Sequence, residues 1–322
     1  MKHFPKFFLF LVFFGILFCR SVEATYPSKG NIEGMHEARD LKITSSETDY
    51  YLSVCAIFQN EADYLKEWIE YHKLLGVEHF WLYNNRSTDH YLEVLEPYIE
   101  IGEVELIDWP YVDYPACQLT AYADGITKAT DTTYWLAIID IDEFLVPQQC
   151  DDMITFLQEF EKFSQILINW QLFGTSNIQS LPKDALIIEA LTYKFPTYFN
   201  SYWSSNSFVK AIVKPNHVSF PITSSHYCNL LPGYLSIDGA KKVVPPFSLA
   251  NINILRIQLN HYWFRTLDFF FNVKVDRRKN TDDPYPQDFI DWILKLGNSE
   301  QDLSIQRFVP LLKEAMQKTV QL

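Results

Sequence analysis

Between residues 50 and 150 the chain alternates short apolar runs with stretches of helical spacing, and this alternation constrains the fold more than any other feature. Tyr51 to Phe58 is an apolar run containing Val and Ile, short enough for a buried strand, and Gln59-Asn60-Glu61 breaks it. Leu65, Trp68, Ile69, His72 and Leu75 then recur at helical spacing, closed by Gly76. Val77 to Tyr83 predicts a second strand ending in Asn84-Asn85-Arg86-Ser87-Thr88-Asp89, and His90 to Ile99 a second helix. Val104 to Asp108 predicts a third strand and Gln118 to Ala129 a third helix. Tyr134 to Ile139, the fourth strand, runs into Asp140-Ile141-Asp142-Glu143-Phe144. Such alternation implies crossover connections and therefore an α/β class with a mainly parallel sheet flanked by helices. Ligands of such sheets bind beyond the carboxyl ends of the strands. The polar clusters Asn60-Glu61, Asn84 to Asp89 and Asp140 to Glu143 fall there. The glycine fingerprints of dinucleotide and P-loop sites are missing from the sequence.

Beyond residue 150 the pattern loosens into an irregular α+β half. Ile166 to Trp170 and Phe208 to Val213 read as strands, and Pro196, Pro215, Pro221, Pro232, Pro245 and Pro246 punctuate the middle. The chain turns basic at Lys274 and Arg277-Arg278-Lys279, and helices are expected over Pro286–Leu296 and Leu303–Val320. With a formal charge of -13, the protein repels phosphate backbones, so nucleic acid is not an expected partner. None of the 5 cysteines forms a CxxC pair, which excludes a zinc ribbon or thioredoxin-type site.

The N-terminus reads as a targeting segment. Lys2 and Lys6 precede an uncharged apolar run from Phe7 to Phe18, and Val22-Glu23-Ala24 presents small residues before a cleavage point. As a helix the run would span about 18 Å, short of the roughly 30 Å of a bilayer core. Residues 1–24 are therefore expected to be a signal peptide and 25–49 a linker, giving a secreted or exported protein. Membrane association is expected only if the segment stays uncleaved as an anchor. Cleavage leaves Cys55, Cys117, Cys150 and Cys228, which allow disulfides in three pairings, while the apolar setting of Cys55 equally fits a buried thiol.

Asp140 and Asp142 stand two apart at the end of an apolar strand, so alternation sends both carboxylates to one face. Paired hard oxygen donors at a loop edge suit Mn²⁺ or Mg²⁺ bridged to substrate phosphates. An apolar strand followed by Asp-x-Asp also opens haloacid-dehalogenase-type phosphatases, but these want Thr or Val where Phe144 stands, and here three strands come first. A non-catalytic glycan-binding protein is the other alternative, to which the 16% aromatic content is suited.

From Val54 to Tyr262 the chain resembles glycosyltransferase family 92, a group close to family 2 glycosyltransferases. The resemblance is carried by Val54 to Glu61, Glu67 to His72, Gly76 to Phe80, Tyr83 to Asp89, Gln118, Asp124 and Asp140 to Phe144. It continues through Trp170-Gln171-Leu172-Phe173-Gly174-Thr175-Ser176, Lys210 to Pro215, His226 and Asn260-His261-Tyr262. It departs at Gln59, where Lys is frequent in the family. The resemblance implies a GT-A fold, a UDP-sugar donor, a divalent metal and inverting transfer of a hexose, often galactose, to a glycan acceptor. In those terms 50–150 is the nucleotide-sugar half of the domain, 151–280 its acceptor half, and 281–322 a pair of C-terminal helices.

Several residues are candidates for that chemistry. Asn60, Glu61, Asn84, Asn85 and Asp89 would frame the nucleotide. Asp140 and Asp142 would hold the metal, with His226 and His261 as further ligands. Lys210 and Lys274, or Arg277 and Arg278, would meet the leaving diphosphate. Inverting displacement needs a carboxylate base, for which Glu143, Asp238 and Asp268 are the candidates. Trp170, Trp203 and Trp263 are candidate sugar-stacking rings.

Overall fold

The computed structural model describes residues 47–113, 116–198, 205–248, 250–281 and 284–318. The signal-peptide segment, most of the linker and Trp203 lie outside the described residues. In chain order the elements of the first half are β1 (Tyr50–Phe58), α1 (Ala62–Leu74), β2 (His79–Asn84), α2 (Tyr91–Glu100), β3 (Val104–Asp108), α3 (Ala116–Ala129) and β4 (Thr133–Ile138). Next come β5 (Glu143–Pro147), α4 (Met153–Gln158), β6 (Gln165–Leu172), α5 (Ile187–Ala190), β7 (Tyr193–Lys194), β8 (Val209–Val213), β9 (Ser236–Asp238) and β10 (Ile257–His261). The chain closes with α6 (Leu267–Phe269), a π-helical stretch (Phe270–Val275), α7 (Asp276–Lys279), α8 (Gln287–Gly297), β11 (Glu300–Gln301) and α9 (Val309–Lys318).

The central sheet has nine strands in the order β3-β2-β1-β4-β8-β6-β10-β5, with β9 beside the first half of β6. All run in one direction except β5 and β8. The expected α/β class and mainly parallel, helix-flanked sheet are thus present, and the sheet runs through both halves of the chain.

β1, β2 and β4 read clearly because both of their faces are covered, while β3 is a partly exposed edge strand. Along β1, Val54, Ala56 and Phe58 enter the main core with Trp68, Ile69 and Phe80, while Cys55 faces the second cluster with Trp81, Tyr83 and Tyr122. Gly125 lets α3 lie close to β1, since a Cβ there would stand 2.5 Å from Cys55 Sγ. Cys55, Cys117, Cys150 and Cys228 are all free thiols, and Cys55 is buried. Of the two readings, the buried thiol holds for Cys55.

Two expectations need correction, and one strand escapes the sequence reading. The Asp140–Asp142 segment is a turn between β4 and β5, closed by Glu143 N donating to Asp140 O at 3.1 Å, rather than the end of a strand. Strand alternation therefore does not orient the two acids. The helix expected over Leu303–Val320 is a 3₁₀ stretch, Ser304–Phe308, followed by α9. Finally β10 carries Gln258 and Asn260 although it is fully buried, and this hid its strand character. Gln258 Nε2 is satisfied by Asn260 Oδ1 at 2.8 Å and Asp302 Oδ2 at 3.0 Å. Among the described residues no helix is long and apolar enough to cross a membrane.

Candidate active site

The carboxyl ends of the parallel strands β1, β2, β4, β6 and β10 lead to Asn60, Asn84, Asp140, Trp170 and His261 at one edge of the sheet. The two reversed strands begin at that same edge, so β8 brings in Lys210 and β5 brings in Glu143. Topology alone therefore collects residues from six separate stretches of sequence.

Asp140 is held on both oxygens. Lys210 Nζ lies 2.9 Å from Oδ2, while Oδ1 accepts from the Tyr122 hydroxyl at 2.8 Å and from Gln118 Nε2 at 3.3 Å. Glu143 lies behind it, fully buried; its Oε2 accepts from Asp140 N at 2.8 Å and lies 3.7 Å from Lys210 Nζ. Burial pushes the Glu143 carboxyl well above the usual range, opposed by Lys210 and reinforced by Asp140. Glu143 Oε1 is buried without a partner among the described residues.

Asp142 faces the other way. Its Oδ1 is 3.4 Å from His261 Nε2, and its carbonyl accepts from Tyr262 N at 2.8 Å. Burial by itself would raise this carboxyl, but His261, Lys274 and Arg265 hold it well below the ordinary carboxylate range. His261 packs on Trp170 with ring centroids 4.3 Å apart. His226 contacts Trp170 and Phe208, and its Nδ1 is 2.9 Å from the Val209 carbonyl. A carbonyl only accepts, so Nδ1 carries the proton and Nε2 the lone pair. Burial, helped by the charge of Lys210, lowers the His226 pKa to about 4.

The residues expected to frame the nucleotide stitch two loops together. Asn60 has a φ of 57°, its N–H donates to Ser87 Oγ at 2.9 Å, and its Oδ1 accepts from Thr88 N at 2.8 Å. Asp89 Oδ2 accepts from Ala62 N at 2.8 Å, and Gln59 Nε2 donates to Asn85 O at 2.8 Å. Asn84 Nδ2 donates to Tyr91 Oη and Asp108 Oδ1, and Asn85 Nδ2 to the carbonyls of Trp109 and Tyr111. Glu61 pairs with Arg265 across the site.

The three candidate bases separate clearly. Glu143 is sealed beneath Asp140. Asp238 is 5% exposed and closes a turn, accepting from Ala240 N, Lys242 N and Asn253 Nδ2. Asp268 is half-buried at the start of α6 and accepts from Gln179 Nε2. Trp263 is half-buried and lies beneath Lys274 Nζ, 4.5 Å from its ring centroid.

Among the described residues no group of three or more His, Cys, Asp or Glu side chains forms a ready-made metal cage. The donors present nevertheless fit Mn²⁺ or Mg²⁺. Asp142 and His261 put one oxygen and one nitrogen within 3.4 Å of each other, His261 Nδ1 is buried with no partner among the described residues, and such ions commonly take one or two carboxylates plus substrate phosphates.

Two site residues escaped the sequence reading. Tyr122 carries no motif of its own, although it stands one helical turn from Gln118. Arg265 follows the Asn260-His261-Tyr262 landmark in an aromatic stretch without periodicity.

A sequence model described as glycosyltransferase family 92 matches residues 48–291. A glycosyltransferase family 92 protein of Ricinus communis is 25% identical over 273 residues, covering 81% of this chain and 42% of the relative. The chain thus spans about two fifths of that relative's length. Over 116 residues it is 31% identical to a Caenorhabditis elegans beta-1,4-galactosyltransferase, covering 33% of this chain and 27% of that protein. The crystal structure of S. aureus TarS 1-349 matches with a TM-score of 0.35 and 16% identity, over 55% of this chain and 52% of that one.

Proposed function

The chain belongs to glycosyltransferase family 92, and from that membership we propose that it is a GT-A-type, metal-dependent, inverting hexosyltransferase. On this reading it moves a hexose from a UDP-sugar to a hydroxyl of a glycan. Galactose is the favoured hexose, in keeping with the name of the C. elegans relative. Family membership also displaces the phosphatase alternative.

The observation that carries the reading is the pairing of Asp140 with Lys210 and of Asp142 with His261 at the carboxyl edge of the sheet. Glycosyl transfer develops negative charge on the leaving diphosphate. Asp142 and His261 are the residues that would hold Mn²⁺ or Mg²⁺, which supplies Lewis-acid neutralisation of that charge. Lys210, Tyr122 and Gln118 fix Asp140, so the turn bearing Asp142 needs little reorganisation. Glu143 braces the turn through the Asp140 N–H. We assign the proton acceptor to Asp268, since it alone of the three candidate bases retains exposure.

A panel of nucleotide sugars tests the proposal, scored for Mn²⁺-dependent binding and slow donor hydrolysis. Selective binding of one UDP-hexose is expected. A folded protein that takes no donor would return the non-catalytic glycan-binding alternative. Export, with cleavage after Ala24, stands as a further proposal that N-terminal sequencing of the host-made protein decides.

A further inference from the structure

Arg265 is 1% exposed, and its aromatic and ionic surroundings are distinctive. Its Nη2 pairs with Glu61, and the guanidinium is sandwiched between Tyr64, 3.8 Å from the ring centroid, and Phe269, at 4.4 Å. Nε and Nη1 are buried with no partner among the described residues. A guanidinium presents five N–H donors, and leaving buried donors unmet is costly because they lose their bonds to water. The backbone here is also strained, since Arg265 has a φ of 50° without being glycine.

Its position relative to the acidic turn is fixed by short links. Tyr262 N donates to Asp142 O at 2.8 Å, and Arg265 N donates to Tyr262 O at 3.2 Å. Lys274 lies on the same side, 4.5 Å above Trp263 and 5.5 Å from the Phe269 ring. Its ammonium forms no hydrogen bond or ion pair with the described residues, and its charge, like that of Arg265, acts on Asp142. The stretch carrying Lys274 is π-helical, a turn type concentrated at functional sites.

We propose that Arg265 and Lys274 form the site for the anionic oxygens of the donor's diphosphate, with Glu61 and the Tyr64–Phe269 sandwich holding the guanidinium ready. This rests on the donor reading given above and adds the groups that recognise the phosphates. An oxyanion supplies the acceptors that Nε and Nη1 lack, and charge-assisted bonds to a guanidinium are among the strong ones.

The test is calorimetry on the full chain with Mn²⁺, using UDP, uridine and inorganic pyrophosphate as probes. Arg265→Lys keeps the charge but cannot hold Glu61 and an oxyanion together. We expect it to weaken UDP and pyrophosphate by about tenfold or more while leaving uridine unchanged. Lys274→Gln, which leaves the buried pair intact, is expected to weaken the same two probes by a few-fold, and it keeps the test open if Arg265→Lys fails to fold. Wild-type affinity for UDP and pyrophosphate in both variants overturns the assignment and leaves the donor reading standing. Pyrophosphate binding that the variants lose, in a protein that takes no UDP-sugar, supports the assignment and sinks the donor reading. No binding of either phosphate probe to the wild type overturns both.

Discussion

Lys210 Nζ lies between two carboxyls, 2.9 Å from Asp140 Oδ2 and 3.7 Å from Glu143 Oε2, with the lysine side chain 2% exposed. Burial alone would pull this ammonium down, yet Asp140 and Glu143 hold it above the ordinary lysine range. The cation is thus part of the architecture of the turn as well as of its charge. Lys210→Met keeps the length and removes the charge, leaving Asp140 and Glu143 uncompensated. The expected cost is on the order of 3 kcal/mol, read as a lower urea midpoint at unchanged slope. An unchanged midpoint would show that the pair adds nothing to stability.

Asp142 has a different job. Its partner is His261 at 3.4 Å, and its own main chain is tied by Tyr262 N donating to Asp142 O at 2.8 Å. Asp142→Asn preserves shape and removes the charge a cation needs. The substitution is expected to abolish Mn²⁺-dependent UDP binding while the circular dichroism spectrum and melting temperature stay near wild type. Calorimetry with and without Mn²⁺ decides, and retained metal-dependent binding would count against Asp142 as a ligand.

Gly174, in the Trp170-to-Ser176 landmark, is fixed by packing. A Cβ there would lie 2.2 Å from Gly297 O and 2.5 Å from Gly297 C, both backbone atoms of α8. Backbone cannot swing aside as a flexible side chain can, so α8 must shift. Gly174→Ala is expected to destabilise by about 1–3 kcal/mol, the usual range for overpacking. A thermal melt checks this, and a neutral result would mean that α8 moves freely over the sheet.

Glu67 links stability to pH. It is buried in α1 and accepts from Ile187 N at 2.8 Å and Ile188 N at 3.0 Å. Burial, against those two bonds, raises its pKa from 4.5 to about 7. The folded state therefore holds the proton more tightly than the unfolded chain. Its contribution is fully present below about pH 4.5 and is lost as pH rises towards 7, a change on the order of 3 kcal/mol. Glu67→Gln cannot titrate and should flatten this part of the stability profile, measured by urea titrations between pH 4.5 and 7.5. An unchanged slope would assign the proton linkage to another group.

The legible and illegible parts of this chain differ for a physical reason. β1, β2 and β4 are covered on both faces, so each appears in the sequence as a largely apolar run, whereas the edge strand β3 is buried only at Val104. β10 is equally buried but interleaves Gln258 and Asn260, whose amides are satisfied by Asp302 and Tyr262, contacts that no local pattern announces. At the site, Asp140, Asp142, Lys210 and His261 were reachable as landmarks, although the turn rather than strand alternation sets the directions of the two acids. Arg265 was not reachable, because its meaning comes from Glu61, 204 residues away in sequence. Asn60, Asn84 and Asp89 are expected from the sequence to frame a nucleotide, and in the structure their side chains bond to neighbouring loops, strands and helices.

The remaining question of chemistry is which group takes the acceptor's proton. An inverting displacement needs a carboxylate within reach of the acceptor hydroxyl, and that hydroxyl arrives from solvent. Glu143 is fully buried and braces the Asp140 N–H, and Asp238 spends Oδ1 on the N–H groups of Ala240 and Lys242 in its own turn and Oδ2 on Asn253 Nδ2. Asp268 is half-buried at the start of α6, three positions beyond Arg265, with its backbone N–H tied to Gln179 O at 2.9 Å. Asp268→Asn preserves those backbone ties and removes the proton acceptor. Transfer is expected to fall by about 10²–10⁴-fold. On this assignment UDP binding should stay within a few-fold of wild type. Asp238→Asn serves as the comparison and should lower stability more than turnover. If Asp268→Asn keeps its rate while Asp238→Asn loses it, the base is Asp238 and the turn it closes must open during catalysis.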